Sequence, residues 1–239
     1  MKSFILSLCA LLFFGSTPAD AGFFSQLKQL IPSSAAQTSL SETQIGKGLK
    51  EALSVGIDKA VAAASQKDGY LKNDAIRIRF PENMTMMETA LRKIGMGSRI
   101  DAFEVGVNRA AEQAAPEAKA ILLEALFEMS IEDAQKLLKG GKTAATDYFK
   151  KKSWDNLYKA FLPYLGTAMN QSQATQTYNQ MVETYQKIPF AKKPALVSAD
   201  AYATGKALDG LFYLMAEQEK KIRTDPAARA TELLQSVFG

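Results

Sequence analysis

Residues 67–82, KDGYLKNDAIRIRFPE, are the one stretch of this chain that does not read as helix, and their reading decides the fold. An Asp-Gly pair opens it, Asn73 and Asp74 follow, and Pro81 closes an Ile-Arg-Ile-Arg-Phe alternation. A calcium loop is excluded. With Gly69 at the obligatory glycine of an EF-hand loop, the first and last ligand positions fall on Ala64 and Ala75, and neither offers a carboxylate. The alternation has period two, so Ile76, Ile78 and Phe80 face one way and Arg77 and Arg79 the other. A lone strand in a helical chain leaves ladder groups unpaired. Two readings stay open. The stretch is a strap whose apolar residues dock on helices while the arginines stay solvated, or it offers a free edge to a partner strand, with the arginines gripping an anion. Three large apolar side chains must leave water, so the strap is expected to cross the core.

On either side the pattern is helical. Ile45, Leu49, Leu53, Ile57 and Val61 recur every fourth residue behind a Ser41–Gln44 capping box, which predicts a helix to about Ser65. Further helices are expected over 83–94, 98–115, 116–129, 131–139, 143–152, 154–170, 173–187, 201–223 and 226–237. Gly95, Gly97, Gly140 and Gly141 stand where helix-ending glycines belong, Pro116 and Pro226 where first-turn prolines belong, and Asp225 where an N-cap belongs. The lysine run 150–152 reads as a helix end, and Glu219 with Arg223 as surface support at i,i+4. Only 75–80 and 194–198 read as extended. The fold expected is all-α, a multi-helix bundle with at most one short two-stranded ribbon.

EALSVGIDKAVAAA (51–64) and DAFEVGVNRAAEQA (101–114) align without gaps, with identities at Ala52/Ala102, Val55/Val105, Gly56/Gly106, Ala60/Ala110 and Ala64/Ala114. The small identities form one i±4n ridge in each copy, which favours direct packing of the two helices with Gly56 and Gly106 near their crossing.

The N-terminus has its own pattern. Lys2, the apolar run Phe4–Phe14 and Ala19-Asp20-Ala21 follow the order of a secretory signal peptide, and the run is too short to span a membrane. Leu8 before Cys9 is too bulky for a lipobox. Cleavage is expected after Ala21, giving an exported, periplasmic protein with no transmembrane segment. Residues 22–44 read as a short amphipathic piece (Phe23 to Ile31) and a polar linker, and 45–239 as a single helical domain. Beyond residue 21 the chain holds no cysteine and no histidine. Disulfides, thiol nucleophiles, Ser-His-Asp triads and histidine or cysteine zinc sites are thereby excluded, and no cofactor or metal is expected. The net charge of +4 is interleaved along the helices, and nucleic acid is not an expected partner.

One face of helix 98–115 collects Asp101, Glu104, Asn108 and Glu112 within about 80°, turned away from Ile100, Phe103, Val107 and Ala111. Paired carboxylates suit general acid/base work such as glycoside cleavage. A wet polar face looks identical.

The strings DGYLKNDAIRIRFPE, VNRAAEQAAPEAKAIL, GGKTAATDYFKKK, KALDGLFYLMAEQEKKIRTDPAAR and LLQSVFG, in this order, resemble the domain-of-unknown-function family 4197 over Ile45 to Gly239. The resemblance implies an exported, largely helical bacterial protein and brings no catalytic motif. It marks Arg77, Asn108, Arg109, Glu112, Asp209, Arg223, Asp225 and Arg229 as binding candidates, joined by Arg79 from the strap. The function expected is a non-enzymatic module that binds an envelope protein, polymer or apolar ligand. The alternative is a carboxylate-dependent hydrolase of an envelope glycan acting through Glu104 or Glu112.

Overall fold

A computed structural model describes residues 41–191 and 196–239. The expected signal peptide and cleavage site, the Phe23–Ile31 piece, most of the expected linker and part of the 194–198 stretch lie outside the described residues. Eight α-helices follow one another: α1 (Glu42–Ser65), α2 (Thr85–Lys93), α3 (Gly97–Phe127), α4 (Ile131–Leu138), α5 (Ala144–Gln171), α6 (Ala174–Gln186), α7 (Ala199–Thr224) and α8 (Glu232–Phe238). No strand occurs among the described residues. The expected fold class holds, but of the stretch expected to be extended, Ala75 and Ile76 belong to a turn closed on the Asn73 carbonyl, and residues 77–79 run on without a ladder.

The four long helices form a ring in which α1 neighbours α3 and α7, and α5 closes the other side. Each neighbouring pair runs antiparallel. Lys50 Nζ reaches the Phe127 carbonyl at 3.0 Å while Asp58 pairs with Lys119 at 2.9 Å, so α3 recedes as α1 advances. Along α5, Thr146 meets Glu219 and Tyr158 meets the Ala201 carbonyl. This is a four-helix bundle built from 3.6-period apolar stripes. The short helices clip its flanks. Ile131 of α4 lies over Gly46, and Leu234 of α8 packs with Ala52 and Ile222.

The Ser41–Gln44 capping box is present, and α1 opens at Glu42, three residues before the apolar pattern begins. Other boundaries differ for a common reason. Pro116 was expected to start a new helix, yet α3 runs through it. A proline inside a helix costs about 3 kcal/mol, but Ala110, Ala111, Ala114, Ala115 and Ala118 keep one stripe buried across it while the ring faces solvent. Similarly α5 is continuous where a break near 153 was expected, because Phe149, Ser153, Leu157, Phe161 and Leu165 form one buried row. The lysine run 150–152 is therefore mid-helix. At the far end, Pro226–Ala228 makes only a 3-10 turn, and α8 starts after a Thr231 cap. Gly95 takes φ +85° as a helix-ending glycine does, but Gly97 opens α3.

Helices α1 and α3 pack directly, as expected. Their glycines do not mark the crossing. Gly56 faces the Met215 carbonyl and Gln218 on α7, and Gly106 faces Ser172 and Ala174 where α6 begins. Small residues permit close approach without naming the neighbour that takes it.

Where α1 stops at Ser65, residues 66–84 take over its place between α3 and α7. Ile76, Ile78, Phe80 and Met84 are buried, and Phe80 meets Phe103 edge-to-face at 5.7 Å. The strap crosses the core.

Candidate functional site

The strap begins with a reversal. Asp68 takes the left-handed conformation (φ 72°), and Gly69 follows so close to α1 that a Cβ there would run into the carbonyls of Ala63 and Ala64. Tyr70 then enters the core completely. Its hydroxyl donates to the Ala207 carbonyl at 2.7 Å, and burial together with the Glu112 charge pushes its pKa far above the ordinary phenol range.

The extended part finds its partners on one row of α3. Phe80 N donates to Glu104 Oε1 at 3.0 Å, and Ile78 N to Asn108 Oδ1 at 2.9 Å. Asn108 Nδ2 returns a bond to the Ile78 carbonyl at 2.7 Å. Tyr70 N and Leu71 N both donate to Glu112 Oε1 at 3.2 Å. Residues 104, 108 and 112 stand one helical turn apart, so three side chains of a helix replace the missing strand. A wet polar face, one of the two readings open for this row, would be exposed. Instead Asn108 is 0% exposed and Glu112 5%.

Cations hold the outer carboxylate oxygens. Arg77 Nη2 lies 2.9 Å from Glu104 Oε2. Arg109 bridges Glu112 Oε2 and Asp68 Oδ1 at 2.6 Å each, and these bonds, Glu112 first, raise its pKa. Asp68 also meets Lys72, which with Arg109 holds its carboxyl below the ordinary value of 3.8. Arg77 and Asn108, through Glu104, and Arg109 with Glu112 thus form two polar groups one after the other along the same strap. Arg79 joins neither: its side chain is exposed, 3.5 Å from Asp74, while its carbonyl accepts from Tyr202 at 3.0 Å. Burial, with Glu82 and Glu104 adding to it, pushes Tyr202 up to about 12.

The remaining candidates lie along α7. Glu219, read as surface support, is 2% exposed and caps the first turn of α5, accepting from Ala145 N at 3.1 Å, Thr146 N at 2.8 Å and Thr146 Oγ1 at 2.7 Å. Arg223 donates to Glu219 at 2.8 Å and to the Leu137 and Leu138 carbonyls that end α4. A signal for this clip was available: position 219 lies on the apolar row of Leu208, Leu211, Met215 and Ile222, where a carboxylate needs a partner. Arg229 follows Asp225 by four residues but does not pair with it. It instead donates to the carbonyls of Ile222 and Arg223, capping the end of α7, while Asp225 accepts from Ala227 N at 2.9 Å. Arg223, Asp225 and Arg229 gather at one end of α7, apart from both strap groups.

Asp209 stands elsewhere, at a cleft of about 500 Å³ between α5, α7 and strap residues 75–77. Its carboxylate pairs with Lys150 at 2.6 Å, and Lys150 also lies 5.0 Å from the Trp154 ring centre. Arg77 lines the same cleft, with Lys206 and Tyr213 beside it and Phe212 at its base. Arg77 Nε is buried with no hydrogen-bond partner among the described residues. Lys150, Lys206 and Tyr213 were not among the expected site residues, and antiparallel packing of α5 on α7 brings them to Asp209. No group of histidine, cysteine and acidic residues suited to a metal occurs among the described residues, and no described helix is long and apolar enough to cross a membrane.

No curated protein and no solved structure matches the chain. A family model described as "Protein of unknown function (DUF4197)" matches residues 39–239, which spans the whole bundle and its strap. The chain belongs to that family.

Proposed function

We propose that this chain is a non-enzymatic binding module of the bacterial envelope, holding its ligand in the cleft beside Arg77. The observation that carries the reading is the use made of the buried carboxylates. Glu104, Glu112 and Glu219 each spend both oxygens on backbone N–H, hydroxyl or guanidinium donors. A general acid or base needs a lone pair or proton within reach of substrate, and these oxygens face the protein's own backbone and side-chain donors. This use of both oxygens supports the binding reading over hydrolysis through Glu104 or Glu112. The cleft rim carries Arg77, Lys150 and Lys206 against Asp147, Asp209 and Glu217. Charges of both signs over Phe212 suit a polar ligand with both signs of charge, such as an envelope peptide or a polymer bearing one, rather than an apolar one. Export through the N-terminal signal is part of the same proposal, and N-terminal sequencing of the mature protein tests it, with a start at Gly22 expected.

The binding reading is tested by native mass spectrometry of the chain purified from its own envelope fraction. A co-purified ligand is expected, and Lys206→Glu, an exposed position, loses it without lowering the melting temperature. Turnover of cell-wall glycan fragments that disappears in Glu112→Gln at unchanged stability would overturn the proposal.

A further inference from the structure

A second cleft, of about 480 Å³, opens on another flank of α5, between the end of α3 and the start of α4. Its floor is apolar: Met129, Phe149 and Leu157, all buried side chains, lie at its base. Its rim is acidic. Glu124 and Glu128 project from the end of α3 and Asp133 from the first turn of α4, against the single cation Lys152. The Asp133 carboxylate is accounted for by hydrogen bonds with the side chains of Tyr148 and Ser130, and its backbone N–H donates to Ser130 Oγ at 3.0 Å. Glu124 and Glu128 have no ion pair and no side-chain hydrogen bond among the described residues.

The two glutamates also stand at the wrong end of their helix. The C-terminus of a helix carries partial negative charge, and a carboxylate there opposes it. The last turn of α3 holds no basic residue, and Lys50, which reaches that end from α1, spends its ammonium on the Phe127 carbonyl. Phe127, in the same turn, is 76% exposed. Unpaired anions against a helix dipole, above an apolar floor, lower the stability of the isolated chain. A local rule broken without an internal gain marks a working surface.

We propose that this cleft docks a segment of a partner protein carrying lysine or arginine beside large apolar side chains. Its apolar residues cover the Met129–Phe149–Leu157 floor, and its cations pair with Glu124 and Glu128 and offset the end of α3. The proposal does not depend on the cleft beside Arg77.

Calorimetric titration of the full chain tests it. The probe is a short amphipathic peptide of leucine and lysine at helical spacing, with a leucine–glutamate peptide as control. The lysine peptide is expected to bind and the glutamate peptide not, with affinity falling as salt is raised from about 0.05 to 0.5 M. Glu124→Lys with Glu128→Lys is expected to lose at least about tenfold in affinity while its melting temperature rises, because lysine suits a helix C-terminus. Failure of the lysine peptide to bind, equal binding by parent and double variant, or a lowered melting temperature in the double variant overturns the proposal. Displacement of the peptide by dodecylamine at comparable affinity assigns the cleft to a small cationic amphiphile and overturns it too.

Discussion

Asn108 is the residue on which the strap depends most. Its amide acts as both acceptor and donor to Ile78, as a strand neighbour would, inside a region with no water access. Asn108→Ala leaves the N–H and C=O of Ile78 buried without that partner, at about 1–3 kcal/mol for each group. Chemical denaturation should therefore show a loss of several kcal/mol, whereas an exposed polar residue would show almost none. The glycines divide in the same way. A Cβ on Gly210 would come within 2.7 Å of the buried Tyr70 ring and 3.1 Å of Ile76, so Gly210→Ala should destabilise by about 1–3 kcal/mol. At Gly56 the nearest atom would be 3.7 Å away, an ordinary contact. Gly56→Ala is expected to be neutral or to stabilise by up to about 1 kcal/mol, the helix-propensity difference. Thermal melts of the two variants should move in opposite directions or differ clearly in size. Sequence periodicity marked both glycines as helical and could not rank them, since the ranking depends on which neighbour lies above each.

Among the elements, the ends of α4 and α5 are held by α7 rather than by their own caps. Thr143 gives α5 no side-chain cap, and Glu219 fills that role across the bundle, oriented by Arg223, which also covers the last carbonyls of α4. Glu219→Ala removes one member of a buried ion pair and exposes the first turn of α5 to an unsatisfied interior, a change of about 3–5 kcal/mol. Hydrogen exchange should then quicken at the amides of Ala145 and Thr146 before the rest of α5. Arg77→Ala tests the strap from its outer side. The Arg77 side chain is 31% exposed and Glu104 keeps its bond from Phe80 N, so the loss is expected near the upper range for a surface pair, about 1 kcal/mol. A far larger loss would place Arg77 wholly within the fold and remove it from the binding proposal.

Across the whole molecule the titrating groups work at both ends of the pH scale. Asp68 is held below 3.8 by Lys72 and Arg109, so its contribution is complete above that value and lost as pH falls through its lowered pKa. Tyr70 and Tyr202 are both raised above 10.0, so their contribution is complete below pH 10.0 and lost as pH climbs toward their folded values. The melting temperature is therefore expected to fall below about pH 4 and above about pH 10. Tyr202→Phe should flatten part of the alkaline limb and Asp68→Asn part of the acid limb. A melting curve whose alkaline limb is unchanged in Tyr202→Phe would contradict the buried environment assigned to that hydroxyl.

The apolar spacing, the capping box and the Ile-Arg-Ile-Arg-Phe alternation determined by themselves that the chain is helical and that one extended piece must be covered. These are local quantities, set by which side chains share a face. The tertiary structure alone decided that helices run through Pro116 and past Ser153, because a buried stripe outweighs a local break. It also decided that Glu104, Asn108 and Glu112 serve the strap and that Glu219 caps a helix from another segment. A carboxylate on a helix looks the same in sequence whether it meets water, substrate or backbone. Its partner lies dozens of residues away along the chain, and only the packing of the bundle brings that partner within hydrogen-bonding distance.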